Sequence, residues 1–171
     1  MGSIQSLLAI GGITIFSLIS VRFNSTVLQN MGVEVENKIY LTAFSLADDL
    51  IEEIKQKAFD HETVIFRSIN KEELTPKEKF GGDNKEPGEI KDSSSTWNDV
   101  DDYDGYKKEV ALPHAEGYEV TCKVDYVLGD NPNIISNEPT FYKRIEVTVS
   151  SKYLTNPVKL SFIFTLHSKV V

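Results

Sequence analysis

IQSLLAIGGITIFSLISV, residues Ile4 to Val21, is the stretch that decides the fold: a mostly apolar run inside an opening segment, Met1 to Val21, without a single charged side chain. At about 1.5 Å rise per residue it makes a rod of roughly 27 Å, a marginal length against a hydrocarbon core of about 30 Å. A secretory signal peptide would carry Lys or Arg ahead of a shorter apolar run, of about 7–15 residues, and a small-x-small cleavage site behind it. The basic residues are missing here, and Val21-Arg22-Phe23-Asn24 makes a poor cleavage site. The stretch therefore reads as a membrane-grade N-terminal helix. Two readings of Met1 stay open: the initiator of an anchor, or the first residue left after a basic leader has been removed.

Beyond it, apolar residues recur at Ile39, Ala43, Leu46, Ala47, Leu50, Ile54 and Ala58, steps of three and four that line one face of a helix, and no proline occurs before Pro76. Glu34, Glu36, Lys38, Asp48, Asp49, Glu52, Glu53, Lys55 and Lys57 supply the wet face, with lysines toward the end where the helix dipole favours cations. A single helix from about Ile4 to about Phe59 is expected, roughly 84 Å long at 1.5 Å per residue. The alternative is a break near Gly32, since glycine costs about 1 kcal/mol inside a helix. Gly11 and Gly12, followed by Ile13, Thr14 and Ile15, are either a soft spot in the apolar half or a site of close helix packing.

Residues Glu72 to Pro113 read as loop: Pro76, the Phe80-Gly81-Gly82-Asp83-Asn84 turn, Pro87-Gly88, the Ser93-Ser94-Ser95 run and then aspartate-rich sequence. Trp97, Tyr103 and Tyr106 lie within it and are expected to pin it onto a core. The remainder alternates with a period of two over Tyr118–Leu128, Thr140–Ser150 and Val158–Leu166, which predicts three strands in an antiparallel meander. Its dry face carries Val120, Cys122, Val124, Tyr126, Ile145, Val147 and Val149. The wet face carries Glu119, Thr121, Lys123, Asp125, Arg144, Glu146 and Thr148. The helical stripe from Ile39 to Ala58 is the cover available for the dry face. The fold class is α+β: an apolar helix over residues 1–28, then a head over 29–171 with an amphipathic helix to about 59, loop over about 60–116 and sheet over about 117–168.

The formal net charge of −8 and pI near 4.9 argue against nucleic acid as a partner, because phosphate binding draws on clusters of Lys and Arg that this sequence lacks. The single cysteine, Cys122, falls on the dry face and reads as a buried structural thiol. His61, His114 and His167 are isolated. No His-x-x-x-His, Cys-x-x-Cys, Gly-x-Ser-x-Gly or phosphate-cradling loop occurs, and no enzyme is expected. Asp99, Asp101, Asp102 and Asp104 could gather the oxygens that Ca²⁺ takes, although Val100 stands where an EF-hand loop needs its first ligand; the alternative is a solvated acidic turn. No other cofactor is expected.

An apolar half-helix continued by an amphipathic half that packs on an antiparallel sheet resembles the plan of type IV pilins and of type II secretion pseudopilins. Met1-Gly2-Ser3-Ile4-Gln5 is similar to the processed start of that family, where a prepilin peptidase cuts after glycine, the new terminus is methylated and a glutamate stands fifth. Here Gln5 takes that place. A cut after Gly2 is the rival frame and puts Leu7 there. The segment Trp97 to Tyr106 resembles an acidic-aromatic stretch of minor pilin-like proteins of the mannose-sensitive haemagglutinin type.

The resemblance implies a structural subunit of an extracellular pilus or fimbrium, a helical homopolymer built with assembly machinery after an inner-membrane stage and ending at the cell surface. Met1, Gln5, Leu7, Leu8, Ile15, Phe16, Leu18 and Val21 would form its filament core. The alternatives it leaves open are a minor pseudopilin of a type II secretion-like system and a single-pass membrane-anchored binding module.

Overall fold

Residues 2–65, 70–82, 90, 93–112 and 115–166 are described by a computed structural model of the chain. Met1, Asp83-Asn84, Pro87-Gly88, Pro113, His114 and His167, all named above, lie outside these residues. Two compact units, Met1–Ile39 and Tyr40–Val171, divide the chain. Helix α1, Gly2–Lys55, contributes to both.

α1 is one 54-residue helix, unbroken at Gly11, Gly12 and Gly32. A Cβ added at any of the three would meet nothing within 4 Å, so their conformational cost is set by the helix alone. Within the second unit the helix buries Ala43, Ala47, Leu50, Ile51 and Ile54; of the anticipated stripe, Ile39 and Leu46 are only half-buried, and Ile51 is added. It ends at Lys55 and not near Phe59. Gln56 N donates to Glu53 O and Lys57 N to Ile54 O, a spacing of three that tightens the last turn. Ala58 then leaves the helical face altogether and bridges Asp99: its N–H donates to Asn98 O at 3.1 Å and its carbonyl accepts from Val100 N at 3.0 Å.

The sheet has four antiparallel strands in the order β1-β2-β3-β4, with β1 Lys107–Leu112, β2 Ala115–Tyr126, β3 Tyr142–Ser151 and β4 Val158–Thr165. Consecutive strands are neighbours, the meander expected of short connections. The register sets Val120 opposite Val149, Cys122 opposite Val147 and Val124 opposite Ile145, while Val149, Val147 and Ile145 face Val158, Leu160 and Phe162. This dry face is covered by the second half of α1: a small hollow between them is lined by Leu46, Leu50, Glu53, Tyr106, Val110 and Val120.

β1 corrects the expected loop over about 60–116, as does the short helix α2, His61–Ile65. Lys107-Lys108-Glu109 hides the strand from any reading by apolar alternation. Those charges are what an exposed sheet edge requires, because they discourage pairing with another chain. Asp125 is a second correction. It belongs to the outer face but is only 5% exposed, since Lys123 at 2.7 Å, Lys77 at 3.5 Å and Arg144 at 3.8 Å close around its carboxylate.

The loop aromatics do pin their segment. Trp97 and Tyr103 are buried, and Trp97 meets Tyr103 and Tyr106 edge-on with centroids 4.9 and 5.8 Å apart. Gly82 is what admits the indole: a Cβ there would overlap Trp97 ring atoms. Gly82→Ala is therefore expected to cost about 1–3 kcal/mol as an overpacking substitution. A urea midpoint equal to that of the native chain would contradict this close approach.

Candidate functional site

The apolar segment stands open on α1. Leu7, Leu8, Ile15, Phe16, Leu18 and Val21 are between 60% (Ile15) and 74% (Leu7) exposed, and Gln5 is exposed with them. Polar side chains in and beside the segment turn back on the helix: the Ser6 hydroxyl donates to Gly2 O at 2.9 Å, Thr14 to Gly11 O at 2.8 Å and Thr26 to Arg22 O at 3.0 Å. Such bonds satisfy hydroxyls without water, as an apolar medium demands. Among the described residues α1 is the one helix long and apolar enough to cross a membrane. A contiguous apolar surface of this extent marks contact with lipid or with protein.

The carboxylates of the acidic turn accept hydrogen bonds from nearby backbone donors. Asp102 Oδ2 accepts from Asn98 N at 3.0 Å and Asp99 N at 3.2 Å, and Asp99 Oδ1 accepts from Asp101 N at 2.9 Å. Asp104 Oδ1 accepts from Val124 N at 2.9 Å, while its Oδ2 pairs with Lys77 at 2.8 Å. These carboxylates hold the chain's own donors and shape the short turn Asp101–Tyr103. Among the described residues no group of three His, Cys, Asp or Glu side chains assembles as a metal-binding set.

The fourth aspartate leads to a cluster that the sequence reading passed over. Alternation along β3 puts Lys143 on the same face as Ile145, Val147 and Val149, opposite Tyr126 on β2 and Phe164 on β4. A lysine there goes where its parity sends it, into the core, and it is wholly buried. Its Nζ donates to Phe59 O at 2.7 Å and to Asp60 Oδ2 at 2.9 Å, and it contacts Asp101 Oδ1. The rings of Phe59, Phe80 and Tyr126 surround it with centroids 4.4, 5.1 and 5.1 Å away, a cation–π cage.

The two acids differ. Asp60 accepts from Thr75 N at 3.1 Å, from the Thr75 hydroxyl at 3.0 Å and from the Tyr126 hydroxyl at 3.2 Å. Burial alone would raise its carboxyl, but the Lys143 ammonium and the Thr75 donors outweigh burial and hold it below the usual range. At Asp101 burial wins: with Asp60 as a negative neighbour, it pushes the carboxyl up to about 7 against the pull of Lys143. Asp101 Oδ2 is buried and receives no N–H or O–H donor among the described residues, and the Asp99 carboxyl is its side-chain neighbour. Burial also pushes the Cys122 thiol up, as a structural cysteine requires.

No family model matches this chain, and comparisons with curated proteins and with solved structures return no significant match.

Proposed function

We propose that this chain is a subunit of a type IV pilus-like filament, held in the inner membrane by its apolar segment before assembly and displayed at the cell surface after it. The observation that carries this reading is the pairing on one helix of two different surfaces. The charge-free segment up to Val21 leaves Leu7, Leu8, Phe16 and Leu18 exposed, and the part of the helix from Tyr40 on buries one stripe, Ala43 to Ile54, against an antiparallel sheet. Helices of the first kind bundle through apolar packing, so polymerisation exchanges lipid contacts for helix contacts. That exchange is nearly balanced in apolar surface, which lets a motor drive subunits in either direction.

In such a bundle Gln5 lies in an apolar setting beside a neighbour's amino terminus. It accepts a hydrogen bond from that amine without neutralising it, and so tolerates a terminus whose charge is met elsewhere. The reading is tested by shearing surface material from native cells and tracing it by electron cryo-microscopy. Filament density that accepts this chain's side chains, with residues 1–28 in the central bundle, is the expected result. Recovery of the chain only from the membrane fraction, with no filament carrying it, would favour a minor pseudopilin or an anchored binding module.

A further inference from the structure

We propose that Lys143 is a site of covalent self-modification: its Nζ condenses with the side-chain carboxyl of Asp101 to form an intramolecular isopeptide bond, with Asp60 as the base. This is independent of the filament reading, because it rests on the core of the head alone.

Three groups needed for amide formation meet without solvent. Lys143 and Asp60 are 0% exposed and Asp101 is 3% exposed. The amine touches both acids, and aromatic rings close three sides of it. In water an amine and an acid rest as ammonium and carboxylate, which do not condense. Burial disfavours separated charges and removes the water that would hydrolyse the product. Fixed contact also replaces a bimolecular encounter by an intramolecular one, worth effective concentrations on the order of 10⁵ M or more when the geometry is right.

The two acids sort themselves into roles. Asp60 keeps its negative charge through the donors from Thr75 and Tyr126, which makes it a poor electrophile; those donors also weaken it as a base, but it is the carboxylate in contact with the amine. Asp101 is the neutral acid over most of the acidic range, and its buried Oδ2, turned away from the amine that contacts Oδ1, is the oxygen that departs.

The step balances without an oxidant or a co-reactant. The Lys143 ammonium passes one proton to the Asp60 carboxylate, and the amine lone pair attacks Asp101 Cγ. As the N–Cγ bond forms, the C=O electron pair moves onto oxygen. When it returns, the Cγ–Oδ2 bond breaks. Asp60 gives its proton to the departing hydroxyl, which leaves as water, and takes the surplus proton from nitrogen. One ammonium, one carboxylate and one carboxylic acid become one amide, one water and one protonated Asp60. The proton transfer from lysine is uphill, but a reaction that runs once per chain needs no speed of turnover.

The test is mass spectrometry of the full chain, purified in detergent and shown to be folded by a cooperative unfolding transition. Its mass is expected to be lower by one water than the sequence requires. A loss of water by succinimide formation at Asp104-Gly105 would give the same mass, so the decisive readout is the tryptic digest. The bond blocks cleavage after Lys143 and yields a branched species joining fragments 92–107 and 124–144. Ordinary cleavage after Lys143, when the chain shown to be folded is then denatured and digested, overturns the proposal, and a branch mapping to Asp60 overturns the choice of electrophile. Asp101→Ala is expected to keep its full mass. Asp60→Asn, which preserves shape but not basicity, is expected to keep it as well. A bond formed in Asp60→Asn as completely as in the native chain removes Asp60 from its role.

Discussion

Lys143→Met destabilises the head by about 3–5 kcal/mol, the cost of removing one partner from a buried charged cluster and leaving the other in the core. Against a total of about 5–15 kcal/mol for a domain, that is enough to leave much of the population unfolded at moderate temperature. Methionine fills the aromatic cage formed by Phe59, Phe80 and Tyr126, so the loss is one of charge and not of volume.

The sign of the pH dependence follows. Without the ammonium, burial at Asp60 and Asp101 is unopposed by positive charge, which raises both carboxyls above their unfolded values. A group so raised contributes stability that is present below its unfolded pKa and lost as pH climbs through the folded one. The variant is therefore expected to melt closest to the native chain near about pH 4 and furthest from it near about pH 8. Adding Asp60→Asn and Asp101→Asn to Lys143→Met removes the buried charge and should recover most of the loss. Urea unfolding of the full chain in detergent, followed by near-ultraviolet circular dichroism, measures all of these. A Lys143→Met midpoint within error of the native one would show that the cluster contributes little.

The other large effect is expected at Leu8. A charged side chain at the middle of an apolar helix costs about 2.5–3.5 kcal/mol in a bilayer, and more where neighbouring helices prevent it from reaching water. In the helical polymer proposed above, that cost would recur at every subunit. Leu8→Asp, or the same change at Ile15, is therefore expected to abolish filament recovery by shearing, while Leu8→Ala leaves filaments in place. Wild-type yields of filament from Leu8→Asp would exclude these positions from a packed core.

The helix and three of the four strands were legible because each has a clean period. Ala43, Ala47, Leu50 and Ile54 recur as a helix face must, and Val120, Cys122 and Val124 as a strand face must. The end of α1 was not legible, because no proline or glycine marks it. The helix stops where Ala58 finds better partners in Asn98 and Val100, some forty residues along the chain. β1 was hidden by its own edge chemistry.

Of the buried cluster, Asp101 stood out only as one acid among several. Its partner Lys143 carried a real signal: its parity with Ile145, Val147 and Val149 is as plain as theirs. A lysine extending an apolar face is read as the end of a strand unless its counter-charges are known, and those come from Asp60 and Asp101, 83 and 42 residues away. Parity survives in sequence, whereas the meeting of distant charges does not.

Trp97 makes the head optically self-reporting. It is the one tryptophan among 171 residues, and none lies in the apolar segment, so indole emission comes from a single site whatever detergent, bilayer or polymer surrounds that segment. The site is 5% exposed and has two tyrosine rings within energy-transfer range. Release of the loop therefore moves the emission to longer wavelength and lengthens the tyrosine distances together. The seating of this loop can be followed by fluorescence of the purified chain, with no label added.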